Sequence, residues 1–366
     1  MEKVNILIIG AGSIGLSVAK VLSEEFEDIV VVEKEDSFGR HTSSRNSEVI
    51  HSGIYYPQNT LKAKLCVRGA ELLYEYCKTN DLPFRNCGKL VVATDEDELP
   101  ALDKLKENGE RNEVKGLEMI DENECKSLEP QIKAIKALKV PSTGILDTYK
   151  FMQKLECDAE KNDAFICYEM EVNSIKKTEN GYVVNFSNGE VFQANTIINC
   201  AGLFSDKMAE MVGIDIEKEN LKIHWCKGEY YKTTKIKDVK HLIYPLPDPK
   251  GIFLGIHLTI NLNGEVRFGP NAYYVNELNY SMDETYKKDF LLAVNKYVQI
   301  DEDKLQLDDC GIRPKLQEEG GEFRDFYIKE ESEKGFPNFI NTIGIESPGL
   351  TACLAIAEEV KKLLNR

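Results

Sequence analysis

Three glycines and one acid carry the most specific chemistry in this chain of 366 residues. Gly10, Gly12 and Gly15 stand in the run Gly10-Ala11-Gly12-Ser13-Ile14-Gly15, and Glu33 closes the next apolar run. In such a spacing Gly10 permits a tight turn, Gly12 lets backbone approach a pyrophosphate, Gly15 lets a helix pack closely on a strand, and Glu33 accepts hydrogen bonds from a ribose diol. The pattern leaves open whether the dinucleotide is NAD or FAD. Beyond Glu33, the loop Gly39-Arg40-His41-Thr42-Ser43-Ser44-Arg45-Asn46-Ser47 is rich in hydroxyl, guanidinium and small groups that can donate to a pyrophosphate or a flavin ring. An ordinary surface loop has a similar composition. Any imidazole base must come from five histidines, His41, His51, His224, His241 and His257, the side chains whose ordinary pKa lies closest to neutrality.

A strand, a helix and a second strand must position the glycines and the acid. Val4 to Ile9 is a nearly unbroken apolar run of the kind buried on both faces of a parallel sheet. Ile14, Val18, Val21 and Leu22 recur at helical spacing, and Ile29 to Val32 reads as the second buried strand. A long helix is expected over Leu61 to Cys77 and a strand over Gly88 to Ala93. Residues 95–130 are charge-rich, with Leu99, Leu102 and Leu105 at helical spacing, and read as a solvated helical excursion. Asp147 is placed to cap a helix whose Phe151, Leu155 and Ala159 share one face, and Phe165 to Tyr168 is the next strand.

A β-meander follows, with strands at 171–177, 182–186 and 191–193 separated by Asn180-Gly181 and Asn188-Gly189. A separate buried strand, 196–200, leads into the turn Ala201-Gly202 and a capped helix, a second place where N–H groups can face a phosphate. Antiparallel strands are expected at 221–231, 241–244 and 251–258, then Val266 to Pro270, with a helix at 284–297. The chain closes with a strand from Phe339 to Ile343, a turn from Gly344 to Thr351 and a last helix to Leu364. The positive end of that helix suits a flavin ring that becomes anionic on reduction, although an ordinary capped helix looks the same.

The formal charge of -16 argues against a nucleic-acid backbone or an anionic membrane as main partner. No run approaches the length of a membrane span, and the first strand leaves no room for a leader, so a cytoplasmic protein is expected, with peripheral membrane contact left open. Ten scattered cysteines without a CxxC fit buried thiols in a reducing compartment and offer no metal site.

The string Asn46-Ser47-Glu48-Val49-Ile50-His51-Ser52-Gly53-Ile54-Tyr55-Tyr56 resembles the L-2-hydroxyglutarate dehydrogenase/oxidase family, within the D-amino-acid-oxidase superfamily of flavoproteins. So do Leu61-Lys62-Ala63-Lys64-Leu65-Cys66, Cys87-Gly88-Lys89-Leu90-Val91, Gly255-Ile256-His257-Leu258-Thr259, Gly269-Pro270-Asn271-Ala272 and Gly311-Ile312-Arg313. The resemblance spans nearly the whole chain. It departs at Ile223 to Tyr230, where only a Gly-acid-Tyr pattern is kept, and at Glu346-Ser347-Pro348-Gly349-Leu350.

The resemblance implies FAD rather than NAD, and an α/β fold: a Rossmann-like FAD-binding domain with an inserted α+β substrate domain whose antiparallel sheet roofs the flavin. The expected FAD-binding parts are residues 1–82, 142–215 and 306–366, with 83–141 and 216–305 as the substrate domain. Expected cofactor contacts at the N-terminal end are Gly10, Gly12, Ser13, Ile14, Gly15, Glu33, Lys34, Thr42, Ser43, Ser44, Arg45, Asn46 and Ser47. Later ones are Val172, Cys200, Ala201, Gly202, Gly311, Gly344, Ser347, Pro348, Gly349, Leu350 and Thr351.

The reaction so implied is oxidation of an L-2-hydroxy acid, foremost L-2-hydroxyglutarate to 2-oxoglutarate. Hydride goes to flavin N5, and electrons pass on to a quinone, another carrier or oxygen. It needs a base for the hydroxyl proton and a cation for the carboxylate. His51 and His257 are the base candidates, with a slight preference for His257, and Arg313 is the candidate for bidentate carboxylate binding. Tyr55, Tyr56, Lys227 and Tyr230 are candidates for a distal carboxylate. An amino-acid or secondary-amine oxidase of the same fold is the alternative enzyme, and a non-catalytic dinucleotide-binding regulator the alternative outside catalysis.

Overall fold

The structure, a computed structural model, describes residues 1–247 and 255–365. The chain divides into two compact units, Met1–Ser44 with Thr148–Trp225 and Arg313–Arg366, and Arg45–Asp147 with Cys226–Ile312.

In the first unit the apolar run at the N-terminus becomes the strand Glu2–Ile9, central to an eight-stranded sheet. It pairs in parallel with Ile29–Val32 (Ile6↔Ile29) and with Val191–Asn199 (Leu7↔Ile197). Phe165–Cys167 extends one edge. The later half of Val191–Asn199 pairs in parallel with Phe336–Ile343 (Ile197↔Phe339), and its earlier half is antiparallel to Gly181–Phe186 (Tyr182↔Ala194). The helix Ser13–Leu22 packs against Thr148–Lys161 and Gly349–Leu364. This is the Rossmann-like arrangement expected.

Val191–Asn199 is one strand, not a meander arm followed by a second strand. Phe192, Ala194 and Thr196 are buried while Asn195 is exposed, so the alternation continues with no turn residue to stop it. The helix after it begins with the 3-10 turn Gly202–Phe204, and no side chain caps Ser205–Val212. The Asp206 carboxylate accepts instead from Ile223 N at 3.1 Å.

The second unit carries a nine-stranded sheet in the order Tyr273–Val275, His224–Thr233, Val266–Gly269, His257–Ile260, Leu242–Pro245, Lys89–Ala93, Lys136–Val140, Glu118–Asp121, with Gln306–Lys315 beside His224–Thr233. Val49–Ile50, Gly144–Leu146 and Phe84–Arg85 form a three-stranded sheet. The charge-rich stretch is more than a helical excursion. Leu99–Arg111 and Glu122–Leu128 are helices, but Glu118–Asp121 joins the sheet between them, and Leu102, Val114, Ile120 and Cys125 enter the core. The helix expected at 284–297 is shorter, Lys287–Val294. The strand expected at 251–258 is described from His257 on; positions 251–254 lie outside the described residues.

Candidate active site

The first unit builds a dinucleotide cradle from the glycine run. Gly10 has φ +104°, and a Cβ on it would lie 2.6 Å from the Cys200 carbonyl oxygen, so the turn crosses the neighbouring strand end with no room for a side chain. A Cβ on Gly15 would lie 1.9 Å from the Gly10 carbonyl oxygen, the close helix–strand packing that the third glycine exists to allow. Gly12 faces the Ser43 hydroxyl, which would stand 2.9 Å from an added Cβ. Ser43 Oγ accepts from Ser13 N at 3.0 Å, and no acidic residue lies in the first turn of Ser13–Leu22. That positive helix end, with a hydroxyl beside it, suits a pyrophosphate.

Glu33 ends the strand Ile29–Val32 and accepts from Ala11 N at 2.8 Å and Glu35 N at 3.1 Å. Lys34 pairs with Glu35 at 3.2 Å and lies over the Phe204 ring. His41 bonds Glu35 at 2.9 Å. Burial pushes the Glu35 carboxyl up, but its hydrogen bonds to His41 and Lys34 outweigh this and leave it lowered. Cys200 N donates to Ile9 O at 2.9 Å, and burial pushes its thiol up to about 12, so it stays a thiol. Val172 is buried, and Gly202, at φ +53°, has open space where a Cβ would stand. These residues fit an FAD; the adenosine half would lie against Glu33 and the pyrophosphate against Gly12, Ser13 and Ser43.

The closing turn belongs to the same unit. Gly344, at φ +72°, leaves no space for a Cβ, which would meet Leu316 Cγ at 2.6 Å. Glu346 forms a buried ion pair with Lys315 at 2.7 Å, and Ala352 N donates to Pro348 O at 2.9 Å as the helix Gly349–Leu364 starts. Ser347 and Leu350 stand in that entry, and Gly349 and Thr351 are buried. Arg313 is half-buried on Gln306–Lys315 and belongs to this unit.

Ile14, Thr42, Ser44 and Ala201 also belong to the first unit, whereas Arg45, Asn46, Ser47, His51, Tyr55, Tyr56, Lys227, Tyr230, His257 and Gly311 fall in the second. Arg45 pairs with Asp309 at 3.0 Å and lies over the Tyr280 ring; its carbonyl oxygen would stand 2.2 Å from a Cβ on Gly311. Asn46 Oδ1 accepts from Glu48 N, and Ser47 Oγ meets the Tyr230 hydroxyl at 2.8 Å. Lys227 pairs with the buried Glu229 at 3.5 Å and donates to the Ser281 carbonyl. Tyr273 donates to the same Glu229 at 2.7 Å.

One cluster stands apart. The register Ile243↔Leu258 sets His257 opposite Tyr244, and their rings stack with centroids 3.6 Å apart. Tyr55 lies nearly parallel to Tyr244 at 6.4 Å. Lys89 Nζ sits 4.4 Å from the Tyr55 ring and 4.6 Å from the Tyr244 ring. His51 follows the strand Val49–Ile50; burial and then the charge of Lys89 pull its imidazole down to about 3. Of the other histidines, His41 pairs with Glu35, and His241 Nδ1 pairs with the buried Glu129 at 2.8 Å. Tyr56 packs against Ala63 and Cys66 in a small core.

Sequence reasoning missed Lys89 and Tyr244. The signal was present: Lys89 heads Lys89–Ala93, otherwise apolar and wholly buried. A lysine in a buried strand calls for a reason.

Residues 5–363 match the FAD dependent oxidoreductase family, DAO, and the chain belongs to it. It is thus an FAD-dependent oxidoreductase. Within that family it is 37% identical to the mitochondrial L-2-hydroxyglutarate dehydrogenase of Arabidopsis thaliana, over 98% of this chain and 83% of the relative. It is 35% identical to the L-2-hydroxyglutarate dehydrogenase of Indibacter alkaliphilus, over 97% of each. By that likeness it falls in the L-2-hydroxyglutarate dehydrogenase branch. A solved structure of dithionite-reduced L-alpha-glycerophosphate oxidase from Mycoplasma pneumoniae with FAD bound has the same fold, with TM-score 0.88, 26% identity, and coverage of 100% of this chain and 96% of that one. Among the described residues no helix is long and apolar enough to cross a membrane, and no acid, cysteine and histidine group could hold a metal ion.

Proposed function

We propose that this protein oxidises L-2-hydroxyglutarate to 2-oxoglutarate. FAD, when bound, supplies the acceptor for the hydride leaving the substrate Cα. Arg313 holds the C1 carboxylate through its guanidinium fork. The hydroxyl proton goes to an imidazole, and the reading favours His51. Burial and Lys89 keep that ring in the neutral form with which a base must start, whereas His257 is fixed by its stack on Tyr244 and orients the cluster. Electrons then leave to a quinone, another carrier or oxygen. Ten free cysteines support a reducing compartment, the cytoplasm among them.

The observation that carries the reading is the gathering of His51, His257, Tyr244 and Lys89 in one unit. A hydroxyl must lose a proton as its carbon loses hydride, and needs a base; a neutral amine does not. The test is anaerobic addition of L-2-hydroxyglutarate to the purified yellow holoenzyme. Loss of the visible flavin band with the L-isomer and not the D-isomer is the expected result. Bleaching by amino acids or secondary amines alone would replace this function with amine oxidation.

A further inference from the structure

Lys89 is 0% exposed, and its Nζ has no hydrogen-bond partner among the described residues. The buried Lys227 and Lys315 each face a carboxylate, at 3.5 and 2.7 Å. Lys89 faces two tyrosine rings, which stabilise a cation without neutralising it. The nearby Cys66 does not supply the anion, because burial raises its thiol pKa far above neutrality. An ammonium withdrawn from water without an acceptor costs free energy. Selection tolerates that cost where a ligand provides the missing charge.

Other donors share this need. The hydroxyls of Tyr55 and Thr259 are buried and lack hydrogen-bond partners among the described residues. Burial raises the Tyr55 pKa, so its proton stays on as a donor. In the sheet, the register Lys89↔Leu242 with Ile243↔Leu258 puts Lys89, Tyr244, His257 and Thr259 on one face. That face presents an ammonium and a hydroxyl, and Tyr55 lies over the ammonium, itself half-buried. The chemistry that answers such a set is a carboxylate.

We propose that Lys89 binds the second carboxylate of a dicarboxylic 2-hydroxy acid and thereby sets the preference for dicarboxylates over monocarboxylates. This rests on the proposed function and names its specificity residue. The distal carboxylate enters beside Tyr55, whose ring lies over the ammonium. Burial draws the free ammonium down to about 7, so a carboxylate arriving there at mildly alkaline pH brings a proton with it. Lys227, already engaged with Glu229, is left to structure.

The test measures binding rather than turnover. Glutarate and butyrate, the pair with and without the second carboxylate, are titrated into the holoenzyme and followed by perturbation of the flavin spectrum. Wild type is expected to bind glutarate at least tenfold more tightly than butyrate. Lys89→Met should abolish that ratio by weakening glutarate, with butyrate affinity and FAD content unchanged. Calorimetry in buffers of differing ionisation enthalpy should show proton uptake with glutarate in wild type and none in the variant. Should Lys89→Met fail to fold, Tyr55→Phe removes one donor and should weaken glutarate severalfold but not butyrate. A wild type without the preference, or variants that lose both ligands equally or neither, would overturn the assignment. Because these ligands are not oxidised, that failure is distinct from a failure of L-2-hydroxyglutarate to bleach the flavin.

Discussion

Tyr244 and His257 lie face to face, 10° from parallel, on adjacent strands of one sheet. The stack fixes the imidazole plane of His257, while His51 reaches the same cluster from the segment after Val49–Ile50. The two histidines should therefore respond differently to substitution. His51→Asn should slow anaerobic flavin reduction by L-2-hydroxyglutarate about 10²- to 10⁴-fold, the usual worth of a general base. His257→Asn and Tyr244→Leu should resemble one another and cost less. Stopped-flow reduction rates check this, and a larger loss in His257→Asn would exchange the two roles.

The pH dependence has a definite sign. Burial holds free His51 at about 3, so kcat/KM should show no acid limb in the range typical of histidine. Lys89 is held at about 7 by burial, so kcat/KM for a dicarboxylate should fall as pH rises above that value. A monocarboxylate substrate should show no such fall. Steady-state profiles of both substrates decide it.

Lys89 also makes a prediction about stability. Its folded pKa lies below the unfolded value of 10.5, so between about 7 and 10.5 the unfolded chain binds more protons and stability rises with pH. Lys89→Met should remove that slope and raise stability near neutral pH, by on the order of 1–4 kcal/mol if it behaves like other replacements of buried ionic groups by apolar ones. Thermal denaturation of both proteins across this range is the measurement.

Gly12 and Gly15 should separate cofactor binding from folding. The added Cβ of Gly12→Ala meets the Ser43 side chain and no backbone among the described residues, so the protein should fold but hold FAD poorly. In Gly15→Ala the Cβ meets backbone at 1.9 Å, and the fold itself should fail. Flavin content and circular dichroism of each purified variant distinguish these outcomes.

Lys315 and Glu346 are both buried, so Lys315→Met should cost about 3–5 kcal/mol by stranding a charge. Adding Glu346→Gln should recover most of the loss. Denaturant unfolding of the single and double variants measures the coupling.

The sequence made the cradle readable because each glycine answers a local steric demand and each buried strand an apolar run. Residues Gly10 to Glu33 therefore gave strand, turn, helix and acid together. The inserted sheet was less legible. Glu118–Asp121 holds too few apolar residues to announce itself within a charged stretch, and Val191–Asn199 hides its continuity behind Gln193 and Asn195. Lys89 escaped because its role depends on rings from Tyr55 and Tyr244, which only the sheet register brings beside it. Local pattern reveals what a residue needs from its neighbours in sequence, and nothing of what it needs from distant strands.

The first unit is assembled from three separated stretches. Its opening strand, Glu2–Ile9, waits for Val191–Asn199, and its first helix, Ser13–Leu22, for the final one, Gly349–Leu364. During synthesis the nucleotide cradle therefore cannot close until the C-terminal helix has cleared the ribosome. Until then, Glu2–Ile9 and Ser13–Leu22 lack the partners that bury their apolar faces in the fold, the condition that makes a growing chain prone to aggregate.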